Sequence, residues 1–194
     1  MLNCTYTLKK IGLLFILVLL AYYPASAQKE QDAVGKMEKG HKVGVWEYYG
    51  LTTTGERVVI QRYDHDAQKL VYYRPAASTT YHVETSPGNW QYAKPDQPPL
   101  FIGGAPVLAG YIAKLVYPQS ALDRHVEGLV VVTLRIDSLG RTSDFRLTKR
   151  VSMECDEAAM KVARNIPQAW VPARIGSHAV ASEYELPFNF KMSK

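Results

Sequence analysis

"SEYELPFNFKM", residues 182–192, lies almost at the end of the 194-residue chain. Its apolar side chains alternate: Tyr184, Leu186, Phe188 and Phe190. A period of two marks a strand with one face in a core and the other in water. Pro187 stands in the middle of it. Proline has no N–H for a ladder, so within a strand it signals an edge or a bulge. The stretch reads as an edge strand of about 178–191, and the rest of the fold is read outward from it.

Upstream, "GLVVVTLRID" (128–137) sets Val130, Val132, Leu134 and Ile136 on one face of another strand. "DSLG" (137–140) is a tight turn, with Asp at its first position and Gly at its last. A further strand follows, with Phe145 and Leu147 in step with Val151 and Lys149 interrupting the alternation. Asp156 and Glu157 suit a helix N-terminus, with Ala159, Val162, Ala163 and Ile166 as its buried face. Leu108, Tyr111, Ile112 and Leu115 recur at helical spacing, and Tyr117-Pro118 ends that run. Pro118 can open a short turn through Ala121 and Leu122. The order helix, strand, strand, helix, strand predicts an α+β domain over 99–194: two helices packed on a small three-stranded antiparallel sheet.

Two other textures precede it. Residues 28–74 are rich in Gly, Tyr, Val and Trp and read as a short β-meander, with strands near 43–49, 57–63 and 69–73. Pro75, Pro87, Pro95, Pro98 and Pro99 crowd the next stretch, so 75–98 reads as a Pro-rich linker. At the start, Lys9 and Lys10, an apolar run from Ile11 to Tyr23, Pro24 and "ASA" at 25–27 compose a secretory signal peptide cut after Ala27. An uncleaved inner-membrane anchor is the alternative, although a spanning helix needs about 20 apolar residues.

Without the two leader lysines the net charge falls from +5 to +3. The charge is spread out with no basic stripe, which argues against nucleic acid as a partner. Cys155 is the one cysteine outside the leader, so no internal disulfide is available, and a buried small hydrophobe is the simpler role for it. No nucleophile-elbow, zinc-protease, C-x-x-C, phosphate-loop or dinucleotide pattern occurs. The histidines stand singly. "DHD" at 64–66 is the nearest approach to a metal cluster, and a polar turn explains it more simply. The expectation is a non-enzyme with neither cofactor nor metal, in which Trp170 anchors the core.

"FIGG", "YPQSA", "EGLVVVTLRIDSLGRTSDFRL", "DEAAMKVARNI", "AWVPA" with Gly176, and "LPFNF" resemble, in that order, the TonB C-terminal domain family over about 99–192. The resemblance implies a domain that grips a short peptide of an outer-membrane transporter and passes on work from the ExbB–ExbD motor. It also implies that the last strand is the edge where the peptide adds by main-chain pairing. Carried onto this chain, the partner-binding residues are Ser182, Glu183, Tyr184, Glu185, Leu186, Pro187 and Phe188, with Ser182 and Tyr184 taken as positions where proline would delete a ladder N–H. Separately, "GKMEKGHKVGVWEYY" (35–49) resembles a MORN-type repeat through Gly44, Trp46, Tyr48 and Tyr49. A lone unit of that kind must dock on a neighbour.

Three readings follow. The first is a periplasmic protein that binds an extended peptide of an outer-membrane or envelope partner. The second is an anchored energy transducer coupled to ExbB–ExbD. The third is a structural envelope protein that forms a homodimer through its edge strand.

Overall fold

The computed structural model describes residues 32–75 and 79–192; the leader read at 1–27 lies outside the described residues. The first strands are β1 (Ala33–Glu38), β2 (His41–Leu51), β3 (Arg57–Asp64) and β4 (Lys69–Tyr73), an antiparallel meander in sequence order. It has one strand more than the sequence pattern predicts, because β1 carries almost no buried side chains and so shows no alternation. Its core is Trp46, Tyr48 and Tyr63. Burial pushes the Tyr48 phenol up to about 12. Lys42 donates to that hydroxyl at 3.0 Å and lies 4.3 Å from the Trp46 ring centroid. Ile102, Val107 and Val171 pack against the meander's aromatic core. Gln61, 2% exposed, donates from Nε2 to the Phe101 carbonyl at 3.1 Å and accepts from the Gly103 N–H.

The stretch read as a linker is largely structured. β5 (Tyr81–Ser86) and β6 (Asn89–Ala93) form a hairpin. Its turn is Pro87-Gly88, with Gly88 at φ 78°, the left-handed conformation that a proline-then-glycine turn requires. The prolines bracket the strands instead of interrupting them. Beyond the hairpin, Gln97 is stitched to Arg174 by backbone hydrogen bonds of 3.3 and 2.8 Å.

The chain continues through β7 (Leu100–Phe101), α1 (Gly104–Ile112), α2 (Gln119–Asp123), β8 (Gly128–Ile136), β9 (Thr142–Lys149) and α3 (Met153–Arg164). It ends with β10 (Trp170–Val171), β11 (Ala173–Ile175), β12 (His178–Val180) and β13 (Ser182–Phe190). α3 starts at Ser152, whose hydroxyl accepts from the Cys155 N–H. Asp156, in its first turn, accepts from Arg150 Nε at 2.7 Å and from the Val151 N–H at 3.1 Å.

The main sheet has five strands in the order β6-β5-β13-β8-β9, and three helices are present among the described residues. Both counts exceed the expected three strands and two helices. The extra strands are the hairpin; the extra helix is the short Pro118-led turn. One face of the sheet carries Val130, Val132, Leu134, Ile136, Leu186, Phe188 and Phe190, all at most 1% exposed, against Leu108, Cys155, Ala159 and Ala163 of the helices. Burying a side chain of this size is worth roughly 1.5–3 kcal/mol, so this face is the main stabilising layer. Trp170, 5% exposed, closes one end of it edge-on to Phe101.

Candidate functional site: the outer side of the last strand

β13 is bonded to β8 along its whole length, from Ser182 opposite Ile136 to Phe190 opposite Gly128. On its other side it pairs with β5 only at the start, where Ser182 lies opposite Val83. The Glu84 N–H donates to the Ala181 carbonyl at 2.9 Å. In an antiparallel ladder the polar groups of successive residues point alternately to the two neighbours. Ala181, Glu183, Glu185, Pro187 and Asn189 therefore aim their N–H and C=O groups away from β8, and the even-numbered residues aim theirs toward it. Pro187 falls on the outward side. Its missing N–H costs the β8 ladder nothing, which is how a proline sits in a strand so well buried on one face.

The expected site residues divide accordingly. Leu186 and Phe188 are fully buried core residues. Ser182 is also fully buried, not exposed, and its N–H faces β8. Tyr184 is turned to the helix side, its ring 4.8 Å from that of Trp170, and burial raises its phenol. Proline at Ser182 or Tyr184 would break the β8 ladder, so neither substitution tests partner pairing. Glu183, Glu185 and Pro187 carry the outward groups, and Asn189 joins them.

The side chains on the face away from the helices were not legible as a group. Glu183 takes Arg146 on one oxygen and His82 Nδ1, at 3.0 Å, on the other. Burial pushes its carboxyl up, but the hydrogen bonds from Arg146 and His82 outweigh that and hold it below the usual carboxylate range. Arg135 pairs with Glu84 at 3.1 Å and lies 4.9 Å from the Trp90 ring centroid. His82 stacks on Tyr92 with centroids 5.0 Å apart. The hairpin is held on β13 by the buried Val83, the half-buried Tyr81 beside Tyr184, the Glu84–Ala181 backbone bond and partly exposed ion pairs worth about 1 kcal/mol each at most. Alternating aromatic and polar residues around "PG" were the available signal. Where β5 begins, the strands splay around a cleft of about 350 Å³ lined by Thr79–His82, Tyr92, Thr133 and Glu183–Glu185.

A larger hollow of about 650 Å³ lies between α3 and β9, lined by Leu147, Met153, Met160, Arg150, Lys161 and Arg164. Its Arg150 is already committed to Asp156. Among the described residues no group of three His, Cys, Asp or Glu is placed to hold a metal ion. In "DHD", Asp64 Oδ1 accepts from the N–H groups of Asp66 and Ala67 at 3.0 Å each, a turn motif. His65 Nε2 lies 2.9 Å from the Tyr48 hydroxyl. Cys155 is fully buried. No described helix is long and apolar enough to cross a membrane.

The family described as Gram-negative bacterial TonB protein C-terminal matches residues 113–192, which span α2 to β13 and leave the meander, the hairpin and α1 outside. Among solved structures, the solution structure of the Helicobacter pylori TonB C-terminal domain is similar at 20% identity. It covers 45% of this chain and 79% of that one, with a TM-score of 0.34, too distant a likeness to carry the topology. No curated protein matches the chain. Residues 113–192 are therefore similar to an envelope-associated, TonB-like domain.

Proposed function

We propose that this is an envelope protein whose TonB-like domain binds an extended peptide of an outer-membrane or envelope partner by strand addition to the outer side of β13. The observation that carries this reading is the asymmetry of that strand. Its inner side is fully bonded to β8, while beyond Glu183 its outward groups meet no strand among the described residues. Unpaired strand edges recruit other chains unless they are blunted, and main-chain pairing is the means by which an edge binds peptide. Pro187 and the exposed Glu185 discourage indiscriminate pairing, leaving Glu185 and Asn189 as outward donors.

A photo-crosslinking side chain at Glu185, in protein expressed in an envelope-bearing bacterium, tests the reading. The expected result is an adduct mapped by mass spectrometry to an extended segment of an envelope protein, and its loss when Asn189→Pro removes the second donor without unfolding the domain. An adduct that survives Asn189→Pro and Glu183→Pro together, which remove outward donors at both ends of the edge, would refute strand addition. An adduct between two copies of this chain would support edge-to-edge homodimerisation instead. The same reading places the mature protein in the periplasm, beginning at Gln28. N-terminal sequencing that returns Met1 from the membrane fraction would replace it with an anchored transducer coupled to ExbB–ExbD.

A further inference from the structure

The part of the β13 edge with the most to offer a partner is already taken. Of the outward positions, Ala181 accepts from Glu84, and β5 lies alongside Ser182 and Glu183. Pro187 has no donor. A partner that left β5 in place would find the carbonyls of Glu185, Pro187 and Asn189 but only two N–H groups, those of Glu185 and Asn189, so its ladder would be interrupted at Pro187. A continuous run of outward donors and acceptors exists only over Ala181–Glu185.

β5 shows what that run accepts. Val83 is fully buried opposite Ser182, on the helix side of the sheet. His82, the residue before it, bonds Glu183 at 3.0 Å, and Glu84, the residue after it, meets Arg135 at 3.1 Å. Glu183 and Arg135 are themselves opposite each other across β13 and β8. The edge therefore presents an acid and a base side by side, with a fully buried position on the reverse face between them, where Val83 sits opposite Ser182. At the start of β5, the 350 Å³ cleft is where an entering strand would first meet β13.

We propose that Ala181–Glu185 is the docking edge for an extended segment carrying a β-branched aliphatic residue preceded by a basic or imidazole side chain and followed by a carboxylate, and that β5 is its built-in stand-in, which the partner displaces. The inference rests on the strand-addition reading above and names the partner's chemistry. The hairpin then acts both as a guard of the edge and as a template of its ligand. A trans segment binds only to the fraction of molecules in which the hairpin is detached, so loosening the hairpin raises apparent affinity in proportion.

The probe is a fluorescent synthetic copy of residues 79–86, TTYHVETS, titrated against the full chain. Glu84→Arg in the chain sets two arginines against each other and loosens the hairpin, while the acceptor residues on β8 and β13 stay intact. The expected result is an apparent affinity about tenfold or more above that of the unaltered chain. Adding Arg135→Glu restores an opposite pair within the chain and removes the peptide's own partner, so the gain disappears. A peptide with aspartate in place of its valine does not bind. If Glu84→Arg disturbs folding, a disulfide from Ser182→Cys with Val83→Cys gives the second test: oxidation locks the hairpin and abolishes peptide binding, and reduction restores it. Equal affinity for the unaltered and loosened chains, binding of the aspartate peptide, or binding to the locked form overturns the proposal. Envelope adducts at Glu185 that are indifferent to Glu84→Arg would leave strand addition standing and sink this inference alone. Peptide binding as described, with no envelope adduct, would uphold the docking edge and sink the envelope partner.

Discussion

Val83→Ala separates the hairpin's stability from that of the domain. Val83 is fully buried opposite Ser182 of β13, the one hairpin residue so completely enclosed. The substitution removes two methyl groups, about 1.6 kcal/mol of transfer free energy at about 0.8 kcal/mol per carbon. A residual cavity brings the loss to about 2 kcal/mol. If β5–β6 opens as its own unit, the whole loss appears in its local opening equilibrium, which rises about 30-fold, since 1.4 kcal/mol is a factor of ten. Hydrogen exchange read residue by residue is the assay. The Glu84 amide, bonded to Ala181, should exchange about 30-fold faster, while the amides of Val132 and Leu134 on β8 should slow or quicken far less. Thermal unfolding of the remaining domain should shift only slightly. If Glu84 and the β8 amides accelerate together, the hairpin is an integral part of the cooperative core. A partner could not then displace it without unfolding the protein, and the reasoning about the guarded edge fails.

Two further perturbations probe the frame around the edge. Gly140 closes the β8–β9 turn at φ 80°, and a Cβ there would strike the Trp170 carbonyl oxygen. Gly140→Ala should cost at least about 1–2 kcal/mol from the left-handed backbone alone and shift Trp170 fluorescence; an unchanged melting temperature and spectrum would refute this. Stability should also fall in two steps as the medium is acidified. His65 has its imidazole held below 6.5, first by burial and then by nearby Lys42. The unfolded chain therefore takes up that proton first, and the stability present above 6.5 is lost as pH falls through the lower native value. Glu183, held below 4.5 in the folded state, contributes stability present above 4.5 that is lost as pH falls through its own lower value. His65→Gln should flatten the first step in a pH series of melting temperatures and leave the second; a first step that persists in this variant would refute the assignment.

Much of the domain was readable in one dimension because its core is built from strict periods. The even residues of β8 and β13 are apolar without exception from Val130 to Ile136 and from Tyr184 to Phe190, and a period of two leaves no choice of which face is buried. The helix from Met153 announced itself through its acidic first turn and the small residues Ala159 and Ala163. The hairpin was not readable in the same way. "YHVETSPGNWQYA" buries a single residue completely, so its alternation is weak, and its prolines resemble those of a linker until the register shows them at the turn and flanks.

The sequence by itself determined which side of the last strand is core and that Pro187 must avoid a ladder. Those properties depend only on the identity and parity of neighbouring residues, which folding cannot change. Only the tertiary structure decided which residues face outward, because that depends on which of two possible neighbours each N–H meets. It also decided that Ser182 is a buried ladder residue and that the edge is half covered by β5. The acid of Glu183 and the base of Arg135 become one recognition surface with His82 and Glu84 only after β13 pairs with β8, about fifty residues back in the chain, and with β5, about a hundred back. Contacts at that separation are set by packing and loop closure and leave no local pattern in the chain.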